Sequence, residues 1–195
     1  MVVNEKALVR GMKDAFKAGG YTVAAGEDGT LAIYNARWAV QMEEKNIPRE
    51  VLSLLALHMG YLPKKGDAYK VFKGDKVPVV QNVVHAVAVQ PVDSMAAKAA
   101  VATAASSALG RSEAQIHRTG ITFQSYRAWQ RPSDMQVVLV DPEAESIFRK
   151  KEKALLIDGA IYQEGRVSRA YVWAVDREYF QIQVEYLSGM QWTGK

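Results

Sequence analysis

Hydrophobic and polar positions along the chain predict a mixture of helices and strands. The clearest helical period lies in residues 95–109, where larger side chains recur at four- and three-residue steps and Lys98 is the only charged residue. Small side chains cover the rest of this segment. Because a helix that is apolar on nearly every side is buried on nearly every side, we predict a central packing helix or a subunit contact. Its interface positions are Met95, Ala99, Ala102, Ser106 and Leu109.

The first fifty residues predict a surface helix followed by a hairpin. Asn4 is a capping residue, the apolar positions between it and Lys17 share one helical face, and Gly19 and Gly20 end the helix. Residues 21–25 and 30–34 are strand-like and flank a turn rich in glycine and aspartate, which favours a hairpin. Residues 35–46 fit either a strand or a helix, and we favour the helix.

A second helix is predicted from Pro48 to about Met59, with Gly60 as its end. Proline is well tolerated in the first helical turn, and glycine is common just after the last one. Residues 77–89 look extended. These elements complete an N-terminal half that spans residues 1–90.

In the C-terminal half, residues 91–195, more strands are predicted after the 95–109 helix. Residues 121–130 and 135–140 predict two paired strands, and Asp141-Pro142 predicts the start of a helix that continues through the basic residues up to Lys153. Four strand-like segments complete the half, at residues 154–157, 160–163, 169–175 and 179–187, and from them we predict about three strands in a meander. The last segment alternates between apolar and polar side chains.

The predicted fold class is therefore α+β, with antiparallel sheet packed against helices. The second half has the order helix, strand, strand, helix and then a run of strands. The two halves form either two domains or one compact domain, because no flexible linker separates them.

Composition narrows the possible functions. The chain has 195 residues, 49% of them hydrophobic, a net charge of +4 and no cysteine. Disulfides, thiolate catalysis and cysteine-ligated zinc are therefore excluded. The first nine residues resemble neither a signal peptide nor a membrane span. We expect a cytoplasmic, bacterial-type protein with no membrane association.

Candidate chemistry is sparse. The three histidines, His58, His85 and His117, each stand alone, with no partner at the spacing that places two imidazoles on one helix face. Phosphate-binding loops, dinucleotide fingerprints and nucleophile elbows are missing from the sequence. We therefore predict no catalytic residue, no metal site and no cofactor.

The strongest candidate for ligand contact is the segment from Arg118 to Arg131, in which arginines alternate with aromatic side chains. Single-stranded nucleic acid is bound by this combination, because bases stack on aromatic rings while arginines hold phosphates. The predicted contact residues are Tyr126, Arg127, Trp129 and Arg131. The alternative interpretation is structural, with a strand aromatic covered by an arginine stem.

Our functional expectation is a non-enzymatic binding or protein-interaction module that self-associates. Five aromatic residues of the predicted strands could anchor a partner and support this expectation: Tyr171, Trp173, Tyr179, Tyr186 and Trp192. One alternative is a single-stranded nucleic-acid-binding protein that uses the residues just given. The other is a small-molecule sensor or enzyme whose site is assembled from scattered residues and includes a histidine.

Overall fold

The computed structural model describes residues 1–73, 115–150, 153–157, 159–175 and 177–190. Four helices are present there: α1 (Glu5–Ala18), α2 (Arg49–Met59), α3 (Pro142–Glu145) and α4 (Arg177–Ser188). The ten strands are β1 (Tyr21–Ala25), β2 (Thr30–Tyr34), β3 (Trp38–Glu43), β4 (Ala68–Val71), β5 (Gln115–Phe123), β6 (Tyr126–Gln130), β7 (Val137–Val140), β8 (Lys153–Ile157), β9 (Ala160–Glu164) and β10 (Ser168–Trp173). The predicted elements at residues 77–89 and 95–109, including all five interface positions, lie outside the described residues.

All ten strands belong to one antiparallel sheet, so the α+β class is confirmed. The strand order is β4-β1-β2-β3-β10-β9-β8-β5-β6-β7. Strands β3 and β10 join the part from residues 1–90 to the part from residues 91–195, with Val40 opposite Ala170 and Ala39 opposite Tyr171. Both strands are therefore flanked by a strand on each side.

The main core lies on one face of this sheet. Helices α1 and α2 cover it with Leu8, Met12 and Leu55, while Ile33 and Val172 stand among the residues that the strands contribute. On the other face, α4 packs against β7, and a row of tyrosines lies over the middle strands. The second face is thus divided into two smaller clusters.

The N-terminal helix and hairpin form where the sequence predicts them. Asn4 accepts a hydrogen bond from the backbone N–H of Ala7, as its capping role requires. Gly19 ends α1 with a φ of 142°. In the hairpin turn, Asp28 accepts hydrogen bonds from both the backbone N–H and the hydroxyl of Thr30. The helix that begins after Pro48 ends at Gly60, also as predicted.

The predicted helix at residues 35–46 is wrong. The segment contains strand β3, followed by a short 3₁₀ turn over Glu44–Asn46. Trp38, Val40 and Met42 alternate into the main core, as a two-residue period requires. The helical alternative loses because β2 and β10 pair with both edges of this segment, and those hydrogen bonds need an extended chain.

The predicted strand at residues 179–187 is also wrong, since this segment lies within α4. Phe180, Val184 and Leu187 are buried at four- and three-residue spacing, whereas Ile182 and Tyr186 are exposed. The alternating sequence fits both periods. The helix prevails because its buried stripe covers Val137 and Leu139 on β7.

Two further boundaries differ from the prediction. Residues 121–130 form parts of two strands, because the chain turns at Gln124 and Ser125 between β5 and β6. The predicted pairing with residues 135–140 is confirmed by the β6–β7 ladder. Helix α3 starts at the predicted Asp141 cap but ends at Glu145. The basic residues that follow therefore do not form its last turn.

Candidate functional site

The four residues predicted to contact nucleic acid do not share a surface. Trp129 is fully buried in the main core, while Tyr126 packs against Phe180 on the opposite face of the sheet. Arg127 donates to the hydroxyl of Thr122 at 2.8 Å. Nucleic-acid contact remains a prediction, and in this fold Trp129 is not available as a stacking platform.

The fourth residue, Arg131, is held by a neighbouring carboxylate. Its Nε and Nη2 atoms donate to the two oxygens of Asp134 at 2.9 Å and 2.6 Å. This hydrogen bonding from Arg131 lowers the pKa of Asp134. Arg131 therefore has its charge compensated within the loop between β6 and β7.

Trp129 belongs instead to a polar cluster inside the main core. Its indole Nε1 donates to Oε1 of Glu145 at 2.9 Å, and Nε of Arg118 lies 2.9 Å from the same oxygen. Glu145 is only 1% exposed. The sequence suggests only a favourable interaction of Glu145 with the helix dipole, whereas the structure gives it the role of fixing α3 on β5 and β6.

His58, on α2, packs against α1 in an aromatic cluster. Its Nδ1 is 2.9 Å from the hydroxyl of Tyr21, and its ring stacks on Phe16 with centroids 3.8 Å apart. Desolvation, assisted by the positive charge of Lys13, lowers the pKa of His58. The neutral imidazole is therefore the form that this packing favours.

This environment predicts a pH-dependent stability. Because the folded-state pKa of His58 lies below the unfolded value of about 6.5, the unfolded chain binds more protons and the free energy of unfolding falls as pH drops below that value. Above it, the contribution is constant. Urea unfolding between pH 8 and pH 5 should show this loss, and His58→Gln should reduce it.

Lys13→Gln provides a second check on the same effect. It removes the cation that helps to lower the pKa of His58 and leaves the imidazole in place. The pH-dependent loss should shrink, though less than in His58→Gln. An unchanged pH dependence in His58→Gln would contradict the role given to this residue.

The two histidines that the structure describes, His58 and His117, lie on different elements, α2 and β5. His117 lies on β5 and is half-buried, and His85 lies outside the described residues. Within the described ranges, no group of three or more histidine, aspartate and glutamate side chains could hold a metal ion. Neither described histidine is therefore part of a metal-binding cluster within these ranges.

An exposed apolar surface lies at the end of α2, and we call it the α2 patch. It consists of Leu57, which is 76% exposed, together with Tyr61 and Leu62, which are each about half exposed. Tyr61 contacts Tyr69 edge to face, with ring centroids 5.5 Å apart. Large apolar side chains that are exposed together are typical of interaction surfaces. Sequence reasoning missed this surface because Leu57 is one of several apolar residues in the predicted helix, while Tyr61 and Leu62 come after its predicted end.

The predicted partner-anchoring aromatics have mixed positions. Tyr171 is buried and Trp173 is half-buried, whereas Tyr186 is 65% exposed on α4. The side chain of Tyr179 and the whole of Trp192 lie outside what the structure describes. Among the members of this group whose side chains the structure describes, Tyr186 is the most exposed.

The fold and these surfaces define an α+β protein whose described part combines a single antiparallel sheet with exposed apolar helix positions. Among the helices described, none has the length and apolar character needed to cross a membrane. Comparisons with models of protein families, with curated proteins and with solved structures find no match to this chain.

Proposed function

We propose that this protein is a non-catalytic protein-interaction module, and that the α2 patch binds an acidic, amphipathic segment of a partner protein. The observation that carries the proposal is the joint exposure of Leu57, Tyr61 and Leu62 at one end of α2. An amphipathic helix binds such a surface through apolar side chains spaced three and four residues apart.

The charges around the α2 patch favour an acidic partner. Lys64 and Lys65 directly follow it and are exposed, and Lys13 on α1 is close enough to His58 to lower its pKa. Of the nearby carboxylates, Asp67 already accepts hydrogen bonds from the backbone N–H of Lys64 and the hydroxyl of Tyr69. A partner with acidic side chains beside its apolar stripe would place opposite charges next to Lys13, Lys64 and Lys65.

A labelled helical peptide tests this proposal. It carries leucine at positions i, i+3, i+4 and i+7 and glutamate elsewhere, and its control has lysine in place of every glutamate. Fluorescence anisotropy should show that the acidic peptide binds, that its affinity falls with added salt, and that the basic control binds at least tenfold more weakly.

Two variants locate the binding surface. Leu57→Glu/Tyr61→Glu changes exposed residues, so the fold should persist while the affinity for the acidic peptide drops at least tenfold. Gln181→Glu/Ile182→Glu is the matched control, because it adds the same two negative charges at exposed positions on α4. Equal affinities in wild type and the double variant, or an equal loss in the control, would disprove the assignment.

The α2 patch could instead bind a second copy of the chain, and native mass spectrometry distinguishes this case. Wild type would then form an oligomer, and Leu57→Glu/Tyr61→Glu would dissociate it. Self-association through residues 95–109 remains a prediction, since those residues lie outside the described part of the structure.

A further inference from the structure

A large cleft opens at one end of the sheet, where β9 ends and β5 and β8 begin. Its volume is about 940 Å³, and residues of β8 and β9 line it together with the segment after Phe148. Pockets of roughly 300–1,000 Å³ accommodate small organic ligands. The cleft is separate from the α2 patch, with which it shares no residue.

Three cations line this cleft: Arg149, Lys150 and Arg166, all of them exposed. Glu164 is the carboxylate among the described lining residues, and its Oε1 already accepts a hydrogen bond from Nε of Arg169 at 2.9 Å. The positive charge in the cleft is therefore not balanced by the side chains that the structure describes there. Guanidinium groups match the geometry of phosphate, sulfonate and carboxylate groups.

Hydrogen bonds fix the backbone at two of these cationic residues. The N–H of Arg149 donates to the carbonyl of Val2 at 2.7 Å, and the carbonyl of Lys150 accepts from Nε2 of Gln163 at 2.6 Å. The side chains of Arg149 and Lys150 therefore extend from backbone positions that hydrogen bonds fix. A site that is already ordered loses less conformational entropy when a ligand binds.

An apolar wall completes the cleft. Leu155 and Tyr162, which are cross-strand neighbours on β8 and β9, both line it. Tyr162 is 2% exposed, and its ring centroid is 4.8 Å from that of Tyr171. Leu155 and this ring therefore give the cleft an apolar side.

From this combination we infer that the cleft is a binding site for an organic anion, with its phosphate, sulfonate or carboxylate on Arg149, Lys150 and Arg166 and its apolar body against Leu155 and Tyr162. Binding of a small ligand in this cleft is a second function, and it does not depend on the α2 patch. The inference concerns small ligands, whereas the proposed function concerns a partner protein.

The test uses a pair of dyes that differ in one charged group. 8-Anilinonaphthalene-1-sulfonate is the anionic probe, and N-phenyl-1-naphthylamine is its neutral counterpart without the sulfonate. Fluorescence titrations compare wild type with Arg149→Gln/Arg166→Gln. The anionic dye should bind at least tenfold more weakly to the double variant, and the neutral dye should bind both proteins within about twofold.

Lys6→Gln/Arg49→Gln is the matched control, because it removes the same two positive charges from exposed positions that do not line the cleft. Its affinity for the anionic dye should stay within twofold of wild type. The inference is overturned if the anionic dye binds Arg149→Gln/Arg166→Gln as tightly as wild type, or if both double variants lose affinity equally. It is also overturned if the neutral dye loses as much affinity as the anionic one.

Discussion

Glu145→Ala is expected to lower the free energy of unfolding by about 1–3 kcal/mol, the typical cost of leaving a buried hydrogen-bond donor without its acceptor. The carboxylate is 1% exposed and accepts from Nε1 of the fully buried Trp129. Truncation leaves that N–H and the charge of Arg118 without this acceptor. It also leaves a cavity beneath α3. Denaturant unfolding followed by tryptophan fluorescence measures the loss.

Glu143→Ala is the matched control for this effect. Glu143 lies two residues earlier in α3, its side chain is 65% exposed, and Nη1 of Arg37 is 3.7 Å from its Oε2. Exposed ion pairs of this kind contribute about 0–1 kcal/mol. Glu145→Gln keeps an acceptor for the indole, so its loss of unfolding free energy should lie between the losses in Glu145→Ala and Glu143→Ala. Equal unfolding midpoints for the two alanine variants would contradict the role of Glu145.

Phe180→Ala is expected to lower the free energy of unfolding by about 3 kcal/mol, near the lower end for truncation of a buried phenylalanine. Phe180 anchors α4 to the second face of the sheet through edge-to-face contacts with Phe123 and Tyr126. Removing the ring opens a cavity between α4 and β5–β6. Guanidinium unfolding of the purified variant gives the value.

Ile182→Ala provides the comparison that separates helix from strand. In α4, Ile182 is 78% exposed, and its truncation should change the free energy of unfolding by no more than about 0.5 kcal/mol. In a strand, Phe180 and Ile182 would share one face and the two losses would be similar. Comparable losses in the two variants would therefore contradict the helix.

Local signals in the sequence were sufficient for the elements with distinct ends. Asn4 and Asp141 are side-chain caps, and Gly19 and Gly60 end helices with positive φ. Each of these signals acts within a few residues, so a sequence reader can evaluate it without knowing the fold. The α+β class follows from the elements that they define.

Candidate contacts were harder to predict because a side chain's partner is set by distant segments. Trp129 and Glu145 are 16 residues apart, and Arg37 meets Asp141 across 104 residues. The sequence presents Trp129 as a potential stacking ring, while the indole is buried against α3. The cleft likewise joins Val2 and Arg149 to β8 and β9, which no local pattern brings together.

By itself, the sequence determined the class, the capped helices and the first hairpin, because capping, turn chemistry and periodicity act over a few residues. Only the tertiary structure decided between helix and strand at residues 35–46 and 179–187. Both segments carry apolar side chains that fit either period, so the elements that contact them in the fold determine their conformation. Hydrogen bonds to β2 and β10 require an extended β3, while burial against β7 favours the helical stripe of α4.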